Sequence, residues 1–165
     1  MVFKGCILKQ LNLEKIKATF ERVPDEFEGM VAQIGFPSGK NYPEGTPVAY
    51  VATIQEFGAP AVNIPPRPFM RPTVKQQKDK WVKLVEKGIP HVVMGKLTAF
   101  QVLDGVGMQA ASDIKTMIRS IYSPPNSPAT IKRKGSAKPL IDTGYMLASV
   151  SNSVAPTGSD FAAKD

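Results

Sequence analysis

The sequence predicts an α+β fold: a single domain with a small, mostly antiparallel sheet packed against two or three helices, and an extended proline-rich arm. Three observations support this prediction. Apolar residues recur at helical spacing in several long stretches, they alternate at a two-residue spacing in short stretches, and a dense run of prolines separates the two halves of the pattern. A chain of 165 residues, 42% of them hydrophobic, is long enough to bury one core.

We expect one domain over residues 1–154, with the arm at 59–72, a flexible loop at 123–139, and a C-terminal tail at 155–165. No apolar run reaches the roughly 20 residues that cross a membrane, and the N-terminus lacks the cleavage site of a secretory signal. One cysteine, Cys6, cannot form an internal disulfide, which agrees with a reducing compartment. We therefore expect a protein that stays in the cytoplasm where it is made and has no membrane partner.

The first part of the chain predicts a helix, a strand and a second helix. Residues 11–23 place apolar side chains at steps of three and four, which indicates one buried helical face: Leu13, Ile16, Phe20 and Val23. Residues 30–36 alternate apolar side chains as a strand does. Thr46 and Pro47 form a typical N-cap and first-turn pair for the helix "VAYVATIQEF", which Gly58 is placed to end.

The arm is predicted from five prolines, which fix their own backbone angles and favour an extended chain before them: Pro60, Pro65, Pro66, Pro68 and Pro72. Thr73 with Gln76 resembles a capping box, so we place the start of a lysine-rich helix there. Gly88 and Pro90 are expected to interrupt this helix.

The last third predicts a long helix over residues 97–121, in which Gly105 and Gly107 indicate a kink or a close helix crossing. The proline, serine and lysine residues that follow predict a loop that is mobile unless a neighbour holds it. Asp142 is expected to cap a short helical turn. Alternating Ser and Val residues at 149–154 predict the final strand.

Side chains for catalysis are scarce. His91 is the only histidine, and its apolar neighbours favour a structural role over a catalytic or ligand role. We interpret Asp104 and Asp113 as solvated helix residues, and Trp81 and Tyr50 as anchors in the core or at its rim. The sequence contains neither GxxxxGK nor GxGxxG. We therefore expect no enzyme activity, no cofactor and no metal.

Glu56 is more informative because it lies in the last turn of a predicted helix, where the helix dipole disfavours a carboxylate. We expect a cationic partner, with Arg67 or Arg71 on the arm as candidates, in the same chain or on a neighbouring subunit. The alternative is an exposed, weakly paired glutamate. Phe69, which lies between the two arginines, is a candidate apolar anchor that docks the arm.

The net charge of +7 is unevenly distributed. Residues 1–60 carry six basic and seven acidic side chains, 61–120 carry ten and four, and 121–165 carry five and three. A surplus of +6 in the middle segment favours contact with nucleic acid or with an acidic protein surface. A lysine face that simply contacts solvent is the alternative.

Four motifs, in this order, resemble a family of tailed-bacteriophage neck and tail-completion proteins: "GFPSGKNYPEGTPVAYVATIQEFG", "IPPRPFMRPT", "SPPNSPATIKRKGS" and "KPLIDTGYMLASV". The resemblance covers residues 29–154. It implies a noncatalytic virion protein of the head–tail junction, a neck, tail-completion or tail-terminator component. Such a protein forms a homo-oligomeric ring, expected to be a hexamer, in the host cytoplasm. Its expected partners are the capsid connector, other neck proteins and tail proteins, with DNA crossing the lumen.

The resemblance assigns structural and interface roles to nine motif residues, to which we add Arg71: Glu56, Phe57, Gly58, Arg67, Pro68, Phe69, Asp142, Thr143 and Gly144. We expect the arm to lie across its own domain or an adjacent subunit. Replacing Phe69 and Arg67 by alanine is then expected to impair assembly and leave the isolated domain folded. The alternative function is a basic nucleic-acid-binding protein that contacts phage DNA.

Overall fold

Helices make up most of the part of the chain that the computed structural model describes, residues 21–161. Residues 21–27 are helical. The elements that follow are β1 (Met30–Gly35), α1 (Val48–Phe57), a 3₁₀ turn (Pro60–Val62), α2 (Met70–Val93), α3 (Ala99–Ser120), α4 (Pro128–Lys134), α5 (Tyr145–Ser149) and β2 (Ser151–Pro156). The fold is the predicted α+β class, a single domain with a small antiparallel sheet and helices.

The sheet consists of β1 and β2, which pair antiparallel from Met30 opposite Pro156 to Gly35 opposite Ser151. It lies against α3. A Cβ atom at Gly107 would lie 3.0 Å from the side chain of Asn152, so glycine permits the strand to approach. The sequence predicted a kink or a close helix crossing here. The close approach is present, but it is to a strand, and Gly105 faces open space.

Helices α2 and α3 pack along each other, and a glycine sets their closest approach. A Cβ atom at Gly88 would lie 2.5 Å from Cγ1 of Val102. The expected interruption at Gly88 and Pro90 is therefore wrong, since α2 continues to Val93 with Pro90 inside its last turn. Gly88 is required for helix packing and does not end the helix.

Two clusters of buried apolar side chains hold the domain together. The main cluster joins α1, the arm, α3 and α5: Val48, Ala52, Phe69, Ala111, Ile114, Ile118, Leu140, Met146 and Val150. A second cluster, Val23, Val92 and Val102, joins the helical residues 21–27 to the α2 and α3 pair. The remainder of the helix predicted over 11–23 lies outside the described residues.

The cap of α1 differs by one residue from the prediction. Pro47, not Thr46, is the N-cap, and it provides no side-chain cap bond. Gly58 is confirmed as the C-terminal cap, with a φ of 78° and its N–H donating to the carbonyl of Ile54. A Cβ atom at Gly58 would lie 2.9 Å from the carbonyl oxygen of Ile64, so glycine also permits the arm to pack against the helix end.

The extended arm is shorter than predicted. Residues 60–62 form a 3₁₀ turn, and α2 begins at Met70, so Pro72 lies in a helix. The capping box predicted at Thr73 is absent because Thr73 is inside α2, where its buried hydroxyl donates to the carbonyl of Phe69 at 2.6 Å. The extended part covers residues 64–69.

The C-terminal third also differs from the predictions. The loop expected at 123–139 contains α4, capped by Ser127, whose Oγ accepts from the N–H of Thr130. Asp142 is exposed and does not cap α5; Gly144, with a φ of 80°, is the N-cap. Strand β2 extends through Pro156, so the first residues assigned to the tail belong to the sheet.

Candidate interface site

Glu56 joins the end of α1 to the start of α2. Its side chain is buried, and its Oε2 accepts from the N–H groups of Phe69 at 2.6 Å and Met70 at 2.8 Å. Its Oε1 accepts from the N–H of Arg71 at 3.1 Å. These are N–H groups that the first turn of a helix leaves without intrahelical partners. Glu56 therefore caps α2 from a position 13 residues earlier in the chain.

Arg71 is the cationic partner of Glu56, in the same chain. Its Nε lies 2.9 Å from Oε1 of Glu56, and its Nη2 donates to the carbonyl of Glu56 at 3.2 Å. The guanidinium carbon lies 4.7 Å from the centre of the Phe57 ring, a cation–π geometry. The expectation of a cationic partner is confirmed, and the alternative of an exposed, weakly paired Glu56 is wrong.

Two opposing effects act on the pKa of Glu56. Burial raises the pKa of the carboxyl, but the N–H groups of Met70 and Phe69 and the side chain and N–H of Arg71 donate to the charged form and outweigh burial. The net result is a pKa below the ordinary value. The positive end of the α2 dipole acts in the same direction, so the carboxylate is held in its charged form.

Arg67 has a different role from the one expected. It is buried, and it holds the residue 123–139 segment: Nε donates to the carbonyl of Pro124 at 2.6 Å and Nη2 to that of Pro125 at 2.9 Å. Nη1 donates to Oε1 of Gln55 at 3.2 Å. Burial lowers the pKa of the guanidinium. Arg67 thus holds the start of the segment predicted to be a mobile loop, and Arg71 alone of the two pairs with Glu56.

Phe69 anchors the arm in the core of its own chain. It is fully buried, and its ring lies edge-on to that of Phe36 with centroids 6.0 Å apart. The predicted apolar anchor is confirmed. Because both side chains are buried within their own chain, we expect alanine at Phe69 and Arg67 to destabilise the isolated domain as well as to affect assembly.

All four motifs contribute to the lining of a cavity of about 700 Å³, bounded by the arm, the segment before α4, and α5. Arg67, Asp142 and Thr143 all line it. Gly144 begins α5 beside it, and Pro68 is half-buried in the arm. The structure therefore brings together motif residues that are more than 70 positions apart in the sequence.

The outer face of α1 is exposed and carries no charged side chain. Tyr50 is 61% exposed and Phe57 is 60% exposed, and Thr53 lies between them. The only charged residue of the helix, Glu56, is buried. An apolar groove of about 320 Å³ adjoins this face, with Phe36 and Phe57 among its lining residues. An ordinary surface helix has a charged face toward solvent, and α1 lacks one.

The motif resemblance assigns an interface role to Phe57, but the sequence interprets Tyr50 as a core or rim anchor. It is neither, since most of its side chain is exposed. A signal was nevertheless present: the ten residues "VAYVATIQEF" contain a single charge, whereas an ordinary surface helix has a charged face opposite its apolar one.

Other candidate residues have structural contacts that the sequence did not predict. Asp113 accepts from Nε1 of Trp81 at 2.8 Å and Nζ of Lys80 at 3.0 Å, which joins α3 to α2. Burial raises the pKa of Asp113, but these donors and Gln109 outweigh it and the net pKa is lowered. Asp104 accepts from Nδ2 of Asn152 at 2.8 Å. The interpretation of both aspartates as merely solvated is therefore wrong.

His91 is exposed in the last turn of α2, so the expected structural histidine in an apolar setting is also wrong. Within residues 21–161, no three His, Cys, Asp or Glu side chains are grouped so that they could hold a metal ion. None of the helices in this described part is both long and apolar enough to cross a bilayer.

Comparison of the chain with protein-family models, with curated proteins and with solved structures finds no match in any of the three.

Proposed function

We propose that the protein is a noncatalytic structural component of a tailed-bacteriophage virion. In this proposal, identical copies form a closed ring, expected to be a hexamer, at the head–tail junction. The ring joins the capsid connector to the tail, and the genome passes through its lumen. The resemblance of four ordered motifs to neck and tail-completion proteins supplies the location. The exposed, uncharged outer face of α1 supports the assembly of copies into a ring.

One observation carries the assembly part of the proposal: the exposed, uncharged outer face of α1 with Tyr50 and Phe57. Aromatic residues are enriched in protein interfaces, and charged residues are depleted from interface cores. Phe57 contacts the guanidinium of Arg71 in its own chain, but both aromatic side chains still expose most of their area to water. Burial against another subunit removes that apolar area from water, which is favourable at about 25 cal/mol per Å².

The motif residues support the proposal because they stabilise the fold; no catalytic role is assigned to them. Glu56 and Arg67 are both buried, and their described hydrogen bonds hold the arm, the start of α2 and the segment before α4. Because these contacts fix the ends of α1 and α2, they hold the outer face of α1 in one orientation. A rigid surface loses little entropy when a neighbour docks on it.

Deletion of the gene from the phage that encodes it tests the proposed location. We expect filled heads and separate tails to accumulate in the lysate, with few joined particles in electron micrographs. Supply of the intact chain in trans restores joined particles. A deletion phage that yields normal numbers of joined, infectious particles would contradict the proposal.

Contact with DNA is a second candidate function, favoured by the exposed lysines of α2. Lys75, Lys78, Lys83 and Lys87 are all exposed, whereas Lys80 is paired with Asp113. If these lysines contact phosphates, affinity for duplex DNA falls steeply, about tenfold or more between 50 and 200 mM salt. Affinity that does not change with salt, or no binding at 50 mM, leaves the assembly function alone.

A further inference from the structure

The segment over residues 114–141 carries positive charges only. It contains six lysine and arginine residues and no aspartate or glutamate, whereas protein surfaces ordinarily carry charges of both signs close together. The lysines of α2 differ in this respect, because Asp79 and Glu86 lie among them. One of these lysines, Lys80, is also paired with Asp113. The segment over 114–141 therefore carries a more uniform positive charge than α2.

The fold gathers part of this charge around Tyr122, whose side chain is 66% exposed. Nζ of Lys138 donates to the hydroxyl oxygen of Tyr122 at 3.3 Å and lies 4.8 Å from the centre of its ring. Arg119, which is exposed in the last turn of α3, precedes Tyr122 by three positions. Nδ2 of Asn126 donates to the carbonyl of Lys138 at 3.2 Å, so the chain that leaves Asn126 to form α4 returns to it.

Lys132 adds a further cation to this region. It is exposed on α4, a helix about 10 Å long. Because α4 begins two residues after Asn126, Lys132 lies within about 20 Å of Lys138. Within residues 21–161, no carboxylate forms an ion pair with Arg119, Lys132 or Lys138. We call Arg119, Tyr122, Lys132 and Lys138 the α4 surface.

Arg133 is not part of the α4 surface. It lines the cavity that Glu44 and Asp142 also line, so acidic groups of the same chain lie near its charge. We therefore assign no external partner to Arg133.

Contacts within the chain fix the α4 surface to the rest of the domain. Arg67 donates to the carbonyls of Pro124 and Pro125, directly before α4, and Oγ of Ser127 caps the helix. The ring of Tyr122 holds the ammonium group of Lys138. Groups that are already held in place lose less entropy when they bind a partner.

We propose that the α4 surface binds the phosphate backbone of duplex DNA. This inference rests on the second candidate function and assigns the DNA contact to α4 instead of α2. A duplex carries one phosphate charge per about 1.7 Å of its axis, so three cations within about 20 Å each have a phosphate within reach. Contacts to phosphates carry no sequence information, which suits a protein that an entire genome passes. In the ring, the α4 surface then faces the opening.

A pair of double variants of the full chain tests this assignment. Arg119→Gln with Lys132→Gln removes two charges from the α4 surface, and Lys78→Gln with Lys83→Gln, the matched control, removes two charges from α2. All four side chains are exposed, and the melting temperature of each variant confirms that it is folded. Fluorescence anisotropy with a labelled duplex measures the affinity between 50 and 200 mM salt.

We expect the α4 variant to bind at least about tenfold more weakly than the wild type at 50 mM salt. The slope of log affinity against log salt concentration is expected to become shallower by about 1.8, because two phosphate contacts are lost. The α2 control is expected to lose less than about threefold in affinity and to keep a slope within about 0.5 of the wild type. Duplexes of different sequence are expected to bind the wild type equally well.

The outcomes separate this inference from the proposed functions. If the α2 control loses affinity and the α4 variant does not, DNA contact remains the second candidate function, but the assignment to α4 is wrong. Equal losses in both variants report overall charge alone and also overturn the assignment, as does strong dependence on the duplex sequence. If the wild type does not bind at 50 mM salt, DNA contact itself fails, while the mass of the assembled particle still decides whether a ring forms.

Discussion

Glu56→Gln tests the role of Glu56 as the cap of α2. The carboxylate accepts two N–H groups on Oε2 and two donors of Arg71 on Oε1. An amide has one oxygen and one NH₂ group, so one pair of donors must lose its acceptor. A buried donor without a partner costs about 1 to 3 kcal/mol, and loss of the ion pair with Arg71, whose side chain is 60% exposed, adds up to about 1 kcal/mol. We therefore expect Glu56→Gln to lower the free energy of unfolding by about 3 kcal/mol.

Thermal unfolding measures this loss. For a chain of this size, 1 kcal/mol corresponds to about 2 to 4 °C in the melting temperature, so the variant is expected to melt about 6 to 12 °C below the wild type at pH 7. Urea unfolding monitored by circular dichroism gives the change in the free energy of unfolding directly. Glu28→Gln is the control, because Glu28 is exposed, and it is expected to change stability by less than about 0.5 kcal/mol.

The pH dependence supplies an independent check of the same contact. The pKa of Glu56 in the folded protein lies below its ordinary value of 4.5. A carboxyl with a lowered folded pKa contributes stability above its unfolded pKa, and this contribution is lost as the pH falls through the folded pKa. The advantage of the wild type over Glu56→Gln should therefore be constant near neutral pH and shrink below about pH 4.5. A variant within 1 kcal/mol of the wild type at pH 7, or a difference that does not shrink in acid, refutes the proposed capping role.

Further substitutions test the core and the helix packing. Phe69→Ala is expected to lower the free energy of unfolding by about 3 to 5 kcal/mol, because the ring of Phe69 is fully buried against Phe36. Urea unfolding measures the change, and a change below 1 kcal/mol would contradict the burial of Phe69. Gly88→Ala should lower the free energy of unfolding by about 1 to 3 kcal/mol, because the added methyl group overpacks against Val102. Gly105 faces open space, so Gly105→Ala should raise the free energy of unfolding by up to about 1 kcal/mol. Equal effects of the two substitutions would refute the close packing of α2 and α3 at Gly88.

Local patterns were sufficient to predict much of the fold. The alternation at 30–36 corresponds to β1, and the apolar spacing over 97–121 corresponds to α3. The final strand predicted at 149–154 is present but shifted by two residues, since Ser149 ends α5 and β2 begins at Ser151. Gly58 ends α1 as expected. In each case the element is determined by residues that are close together in the sequence. The spacing of apolar and polar residues along the chain therefore reveals it.

The start of α2 could not be predicted in this way, because its cap comes from another helix. Phe69 is the N-cap residue and makes no side-chain cap bond, so no local motif marks the helix start. The acceptor is Glu56, 13 residues earlier, and the sequence indicated only that this carboxylate needed a partner. Similarly, the contact that holds the start of the 123–139 segment comes from Arg67, more than 50 residues before it.

The candidate site was predicted in part. The sequence singled out Glu56, Arg71 and Phe69, and the structure brings them together at the arm. The motif resemblance assigned an interface role to Phe57, but the exposure of the outer face of α1 was not predicted. The burial of Val48, Ala52 and Glu56 on one side of the helix leaves an equally uncharged side facing outward. Which side of an apolar helix is buried depends on tertiary packing and is not visible in its periodicity.

The central claim is that the protein functions as a ring of identical subunits, and the mass of the purified particle tests it most directly. Mass photometry combined with electron microscopy of the unmodified chain is expected to show a closed ring with a central opening and a mass that is an integer multiple, about six, of 17.9 kDa. A species of 17.9 kDa that remains monomeric from nanomolar to high micromolar concentration would contradict the account.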